Sequence, residues 1–217
     1  MSEHHFRYIL PDGALILASA SATRAALLTE AGLDFTARAM AVDEDAVKQA
    51  GLAEQIEHGD IAVTLADLKA SRLAATETGY VLGCDQILSA EEAIFSKPKN
   101  RKEAENHLYQ LAGQSHQLLT AAVLYWGGRR IWHHLSVSTL HMRSLSQAEI
   151  STYLDSIGKA AYSSPGCYQL EGRGIHLFTK IDGDHQDILG LPVLPLLGFL
   201  RERGLTLSAQ DSSSETL

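Results

Sequence analysis

Leu15-Ile16-Leu17-Ala18-Ser19-Ala20-Ser21-Ala22-Thr23-Arg24 is the stretch whose reading decides the fold. It opens as an apolar run too short for a helix of its own, which reads as a buried strand. Small residues then turn the chain through Ser19, Ala20 and Ser21. Leu27 and Leu28 follow one turn beyond Arg24, and Gly32 is a stop, so a short helix begins with Ser21 near its N-cap. A strand, a hydroxyl-bearing turn and a helix N-terminus together can hold an anion. The first turn of a helix carries unpaired N–H groups and a partial positive charge. Ser19 and Ser21 add hydroxyls, and Arg24 adds a fork that matches phosphate oxygens. A capped helix with a surface arginine accounts for the same residues.

Outward from this stretch, strands and helices alternate. Leu33–Ala39 reads as a second strand, Asp60–Thr76 as an amphipathic helix with Lys69 beside its apolar stripe, and Tyr80–Cys84 as a third strand ending at Asp85. Ile87 and Ile94-Phe95 suggest a hairpin stopped by Pro98. Residues 101–112 form an amphipathic helix closed by Gly113. Gly127-Gly128 joins two long strand-like runs, 116–126 and 131–142. Ser146 and Glu149 make a capping box. Residues 175–181 read as a strand, 183–190 as a loop, and Pro192 opens a last helix ending at Gly204. The pattern is α/β: a mixed central sheet with flanking helices. Residues 1–13 read as a loose N-terminal arm, 14–204 as one domain and 205–217 as a disordered, Ser-rich tail.

Composition narrows the partners. The 217 residues carry a net charge of -8 and no basic cluster, which argues against nucleic acid and against anionic membranes. No apolar run reaches membrane-spanning length. Residues 1–11 lack the pattern of a signal peptide. Two cysteines, Cys84 and Cys167, are too few for a disulfide framework and suit a reducing cytoplasm. They read as packed residues, since no base adjoins either. None of the ten histidines stands in an H-x-x-x-H pair on a helix, so a zinc site is not expected. Oligomeric state is not legible, and a homodimer is compatible with everything above.

Arg24, Glu44, Lys69, Asp85 and Lys97 stand where strands or turns end, the region where ligands of open α/β sheets collect. Glu44 reads equally as a solvated loop acid, Lys69 as an exposed helix lysine and Lys97 as a turn lysine. Asp85 is the exception, because an acid directly after an apolar strand is costly to bury without a partner. The set suggests phosphoryl chemistry.

The order of these motifs resembles the Maf family of nucleoside triphosphate pyrophosphatases, relatives by fold of the inosine triphosphate pyrophosphatases. Leu17 to Leu28 is similar to the family's opening L-A-S-x-S-P-R/W-R-x-x-L-L. Asp43-Glu44 matches its D-E, Leu68-Lys69-Ala70 its K-A, Gly83-Cys84-Asp85-Gln86 its G-[AS]-D-[TQ], Ser96-Lys97-Pro98 its G-K-P, and Glu171-Gly172 and Gly190-Leu191-Pro192 its closing motifs. The resemblance spans about residues 14–203. It implies an elongated α/β fold with two lobes around a cleft. It also implies attack of water on the α-phosphorus of a nucleoside triphosphate, releasing monophosphate and pyrophosphate. Asp85 would accept the proton and touch a divalent Mg or Mn ion that Glu44 helps to hold. Arg24, Lys69 and Lys97 would clamp the triphosphate, and Ser19 and Ser21 would cap it.

Residues after the central Asp and before the late Gly divide the family by base. Thr and Gln there accompany dTTP and UTP; Gln and Glu accompany 7-methyl-GTP. Gln86 and Glu171 resemble the second group. Glu171 is an acceptor and a counter-charge for a cationic methylguanine, and Gln86 is expected to serve its O6 or a ribose hydroxyl. Departures exist: Ala22 replaces Pro, Thr23 replaces the Arg or Trp of the specificity position, Ser96 replaces Gly, Ser164 stands where many members have Lys, and His185-Gln186-Asp187 replaces a Tyr-Ser-Asn type loop. A nucleotide-binding protein without catalysis is therefore the alternative.

Overall fold

The computed structural model describes residues 6–209. Its main sheet runs in the order β3 (Phe35–Ala37), β2 (Leu15–Leu17), β4 (Tyr80–Ala90), β6 (Ser115–Trp126), β7 (Arg129–Met142) and β8 (Phe178–Asp182), with β5 (Ala93–Phe95) pairing β4. β2 is parallel to both β3 and β4, and the remaining pairs are antiparallel. This is the expected mixed sheet.

Alternation along the strands assigns the layers. Leu15, Leu17, Tyr80, Leu82 and Cys84 pack with Leu27 and Leu28 of α1 (Ala22–Glu30) and with Leu196 and Leu200 of α7 (Val193–Glu202). Ile16, Ala18 and Val81 face Ala70, Leu73 and Ala74 of α3 (His58–Ala74) on the other side. β2 is thus apolar on both faces, as buried parallel strands are. A further core joins the distal half of β4, β6 and β7 to α4 (Arg101–Leu111) and α5 (Gln147–Ile157). Ser21 caps α1 by accepting from Arg24 N, and Ser146 and Glu149 form the expected capping box.

Two features of β4 position the site. The strand does not stop at Cys84. It continues to Ala90, paired with β6 from Tyr80 to Ser89, so Asp85 lies in mid-strand and not at a strand end. The break is in its neighbour: β2 follows β4 only as far as Leu17 opposite Leu82, and β5 joins the same edge only from Leu88. Between them a stretch of β4 edge is open. The second feature is Gly83, on the α3 face between Val81 and Asp85. A Cβ there would collide with the Ala66 carbonyl oxygen and come within 2.8 Å of Ala70 Cβ. The glycine lets α3 lie directly on the strand.

Other expectations are corrected. The arm and tail are not wholly loose. β1 (Phe6–Ile9) and β9 (Thr206–Ala209) form a two-stranded antiparallel sheet, and Tyr8 N donates to Gly32 O. Each strand satisfies the other's backbone groups, a pairing that no local pattern announces. The remainder of the expected arm and tail, residues 1–5 and 210–217, lies outside the described residues. The strand expected over 175–181 is Phe178–Asp182, preceded by a 3-10 turn at Arg173–Leu177. The loop at 183–190 contains α6 (His185–Ile188), capped by Asp184 accepting from Gln186 N.

Replacing Gly83 by Ala is expected to lower stability by about 2 kcal/mol or more, because neither the helix backbone nor the strand can yield freely. Urea denaturation checks this, and an unchanged midpoint would show that α3 does not press on β4 there.

Candidate active site

All ten residues singled out above line one cleft of about 980 Å³, at the open edge of β4. They reach it from separate elements. Ser19, Ser21, Thr23 and Arg24 come from the β2–α1 turn. Glu44 comes from α2 (Glu44–Ala53), Lys69 from α3, Asp85 and Gln86 from β4, and Lys97 from the segment after β5. Glu171 belongs to the irregular 163–171 wall opposite. Asp85 and Gln86 are adjacent in a strand and therefore emerge on opposite faces, yet both line the cleft, because the open edge joins the two faces.

The centre is a charged triad. Lys69 Nζ lies 2.6 Å from Asp85 Oδ1 and 2.6 Å from Glu44 Oε1. The alternative reading of Lys69 as an exposed helix lysine does not hold: its two carboxylate partners come from other elements. The Lys69 and Asp85 side chains are 10% and 6% exposed and that of Glu44 is 41%, so Asp85–Lys69 is the buried pair and Glu44 its partly solvated rim. Burial alone would raise the Glu44 pKa, but the hydrogen bond from Lys69 and its charge outweigh that, with smaller help from Lys48 and Lys97, and the carboxyl is held below its usual value. Asp85 Oδ2 is buried and has no hydrogen-bond partner among the described residues. An unsatisfied buried carboxylate oxygen is costly and suits a proton or a hard cation.

Arg24 is more constrained than a free phosphate clamp. Its Nε donates to Gly190 O at 2.8 Å, and its Nη1 donates to Cys84 O at 2.9 Å and to Ser19 Oγ at 3.3 Å. Cys84 O belongs to the open edge of β4, so the guanidinium occupies the place of a missing strand. Ser19 Oγ also accepts from Ser21 N, and both serine hydroxyls keep a proton to donate. Gln86 is committed too. Its two Nε2 protons are shared among Thr120 Oγ1, Asp187 O and Ile188 O. The amide nitrogen expected to serve a base or ribose is taken, and Oε1 is the atom left.

Lys48 escaped the sequence reading. It lines the cleft from α2, its side chain is 12% exposed, and its one charged neighbour among the described residues is Glu44 at 3.9 Å. The i,i+4 spacing from Glu44 was the available signal. The cysteines are packed, as expected: burial pushes the Cys84 thiol up to about 11 and Cys167 up to about 12. His107 Nδ1 lies 3.8 Å from Cys167 Sγ, a neighbour that spacing did not reveal, but it faces Pro165 O at 3.0 Å. A carbonyl only accepts, so Nδ1 carries the proton and is no base for the thiol. Ser164 Oγ donates to Tyr168 O.

A mixed sheet that opens at one edge onto lysines, an arginine and two carboxylates defines an α/β protein built to hold a polyanion. The chain belongs to the Maf-like protein family, which matches residues 14–203. It is similar to the nucleoside triphosphate pyrophosphatase of Granulibacter bethesdensis, 46% identical over 189 residues that cover 87% of this chain and 96% of that one. It is 45% identical over 191 residues to the 7-methyl-GTP pyrophosphatase of Rhizobium meliloti, with 88% and 96% covered. Among the described residues no helix is long and apolar enough to cross a membrane.

Lys69→Met removes the buried cation and leaves Asp85 uncompensated. A loss of about 3 kcal/mol is expected, and adding Asp85→Asn should recover part of it. A denaturation cycle measures the coupling; strictly additive effects would mean that the pair contributes no mutual stabilisation.

Proposed function

We propose that this chain hydrolyses a nucleoside triphosphate at the α–β bond, with 7-methyl-GTP as its preferred class of substrate. The observation that carries this is Asp85 Oδ2, a buried and unpartnered carboxylate oxygen in a cleft lined by Arg24, Lys48, Lys69, Lys97 and Lys99. The membership of the family and the names of the relatives support the reaction type.

The cations offset the charge of the triphosphate, and the first turn of α1 with Ser19 and Ser21 adds donors to its oxygens. Arg24 reaches phosphate through Nη2 while its other nitrogens hold the turn, Cys84 and Gly190 together. Water attacks the α-phosphorus, its proton passes to Asp85 Oδ2, and the bond to the β-phosphate oxygen breaks so that pyrophosphate leaves. Lys69 holds Asp85 through Oδ1 and leaves Oδ2 to accept that proton.

No group of three His, Cys, Asp or Glu side chains among the described residues could enclose a metal, but Glu44 and one lone pair of Asp85 Oδ2 suit a shared one, the second lone pair of that oxygen being left for the proton. They would hold a Mg or Mn ion together with phosphate oxygens, and the ion would supply charge neutralisation. Glu171 faces the base from the far wall and complements a cationic methylguanine, while Thr23 in place of an aromatic residue relaxes stacking. The free thiols suit a cytoplasmic setting.

Product analysis with Mg or Mn tests the reading. Pyrophosphate and monophosphate are expected, kcat/KM is expected to be higher for 7-methyl-GTP than for dTTP or UTP, and Glu171→Gln should narrow that gap. Asp85→Asn should lower turnover by about 10²-fold or more while binding survives. Orthophosphate as the sole phosphorus product, or binding without turnover of any nucleotide, would overturn it.

A further inference from the structure

We infer that Thr120, a buried residue that does not line the cleft, sets base selectivity as a positioning residue. With Gln86 it latches the Asp187–Gly190 segment onto the sheet, and that segment forms the wall against which bases are sorted. The inference rests on the nucleotide-binding reading above.

Thr120 and Gln86 are cross-strand partners on β6 and β4. Gln86 Nε2 donates to Thr120 Oγ1 at 2.8 Å, to Asp187 O at 3.1 Å and to Ile188 O at 2.9 Å. Thr120 Oγ1 in turn donates its one proton to Asp187 O at 2.8 Å. Thr120 is 1% exposed, so its hydroxyl meets no bulk water and its partners are fixed. The far end of the segment is held by Arg24 Nε at Gly190 O. Between these grips Ile188, Leu189 and Gly190 line the cleft; Ile188 roots the segment in the core at 6% exposure, and Leu189 is the more exposed apolar residue of the wall. A Gln86 side chain whose amide nitrogen is committed to this latch influences the base chiefly through the wall it holds. Removing the Thr120 hydroxyl withdraws one donor from Asp187 O and one acceptor from Gln86, in a place where no water replaces them. Of the residues that face the triphosphate, Arg24 alone touches this segment, at its far end; Lys48, Lys69 and Lys97 make none of these contacts.

Thr120→Val is isosteric and lacks the hydroxyl; Thr120→Ser retains it; Thr120→Ala is the fallback if Val fails to fold. Isothermal titration of 7-methyl-GMP and dTMP, products that are not consumed, reads the base wall, and titration of inorganic tripolyphosphate reads the cradle. The expected result is a change of fivefold or more in the ratio of the two monophosphate affinities for Thr120→Val, tripolyphosphate affinity within twofold of wild type, and near-wild-type behaviour for Thr120→Ser. A ratio within twofold of wild type would overturn the inference. So would parallel weakening of all three ligands, which marks general loosening, or a wild-type protein that binds neither monophosphate. Failure of the pyrophosphatase reading shows instead as absent pyrophosphate release, with the affinity ratio still responding to Thr120→Val.

Discussion

An ammonium group between two carboxylates, one of them buried, is the interaction on which the rest of the cleft depends. Taking Asp85 out of water would be prohibitive for an isolated anion; Lys69 makes it tolerable, and only because α3 lies against β4. That approach requires a residue without a side chain at Gly83, two positions before Asp85 on the same face. The charge chemistry of the cleft is thus a consequence of helix–sheet packing. A side chain at 83 would push Lys69 away from its acid, and the damage would be electrostatic as well as steric. Only one oxygen of Asp85 is occupied by this arrangement, which leaves the group fixed and still able to react.

The second constraint is the shortness of β2. With three residues in the strand, the edge of β4 beyond Leu82 has no strand to pair with, and Arg24 takes over part of that duty. One guanidinium therefore joins the β2–α1 turn, β4 and the segment before α7. Anchored side chains of this kind make precise ligands, since little conformational freedom remains to be lost on binding.

Local physics made much of this legible in the sequence. The apolar run at Leu15–Leu17, the Ser21 cap, the Gly127-Gly128 hairpin and the Ser146–Glu149 box each involve residues near one another in the chain, and each stands where it was read. Motif resemblance placed the ten cleft residues around one opening. What spacing could not reveal is who touches whom. Gly190 O is 166 residues from Arg24, and Ile188 O is 102 from Gln86. In the sequence both side chains therefore look like free ligands. A polar residue after a buried run signals a strand end, but at Asp85 the strand passes through the acid, and the neighbouring strand is the one that ends. Lys69 read as a surface lysine because its carboxylate partners lie on other elements.

The pairing of β1 with β9 bears on the order in which the fold can assemble. Phe6 meets Ala209, so this small sheet closes a loop of about 200 residues, whose entropic cost must be met before its few backbone bonds form. The β4–β6–β7 meander and α3 involve far shorter separations and can form without it. The pairing of the opening strand with the closing one therefore comes late. Until they meet, Phe6–Ile9 can dock only through Tyr8 at Gly32, and the edge that β9 covers stays open, the kind of surface through which neighbouring copies exchange segments at high concentration.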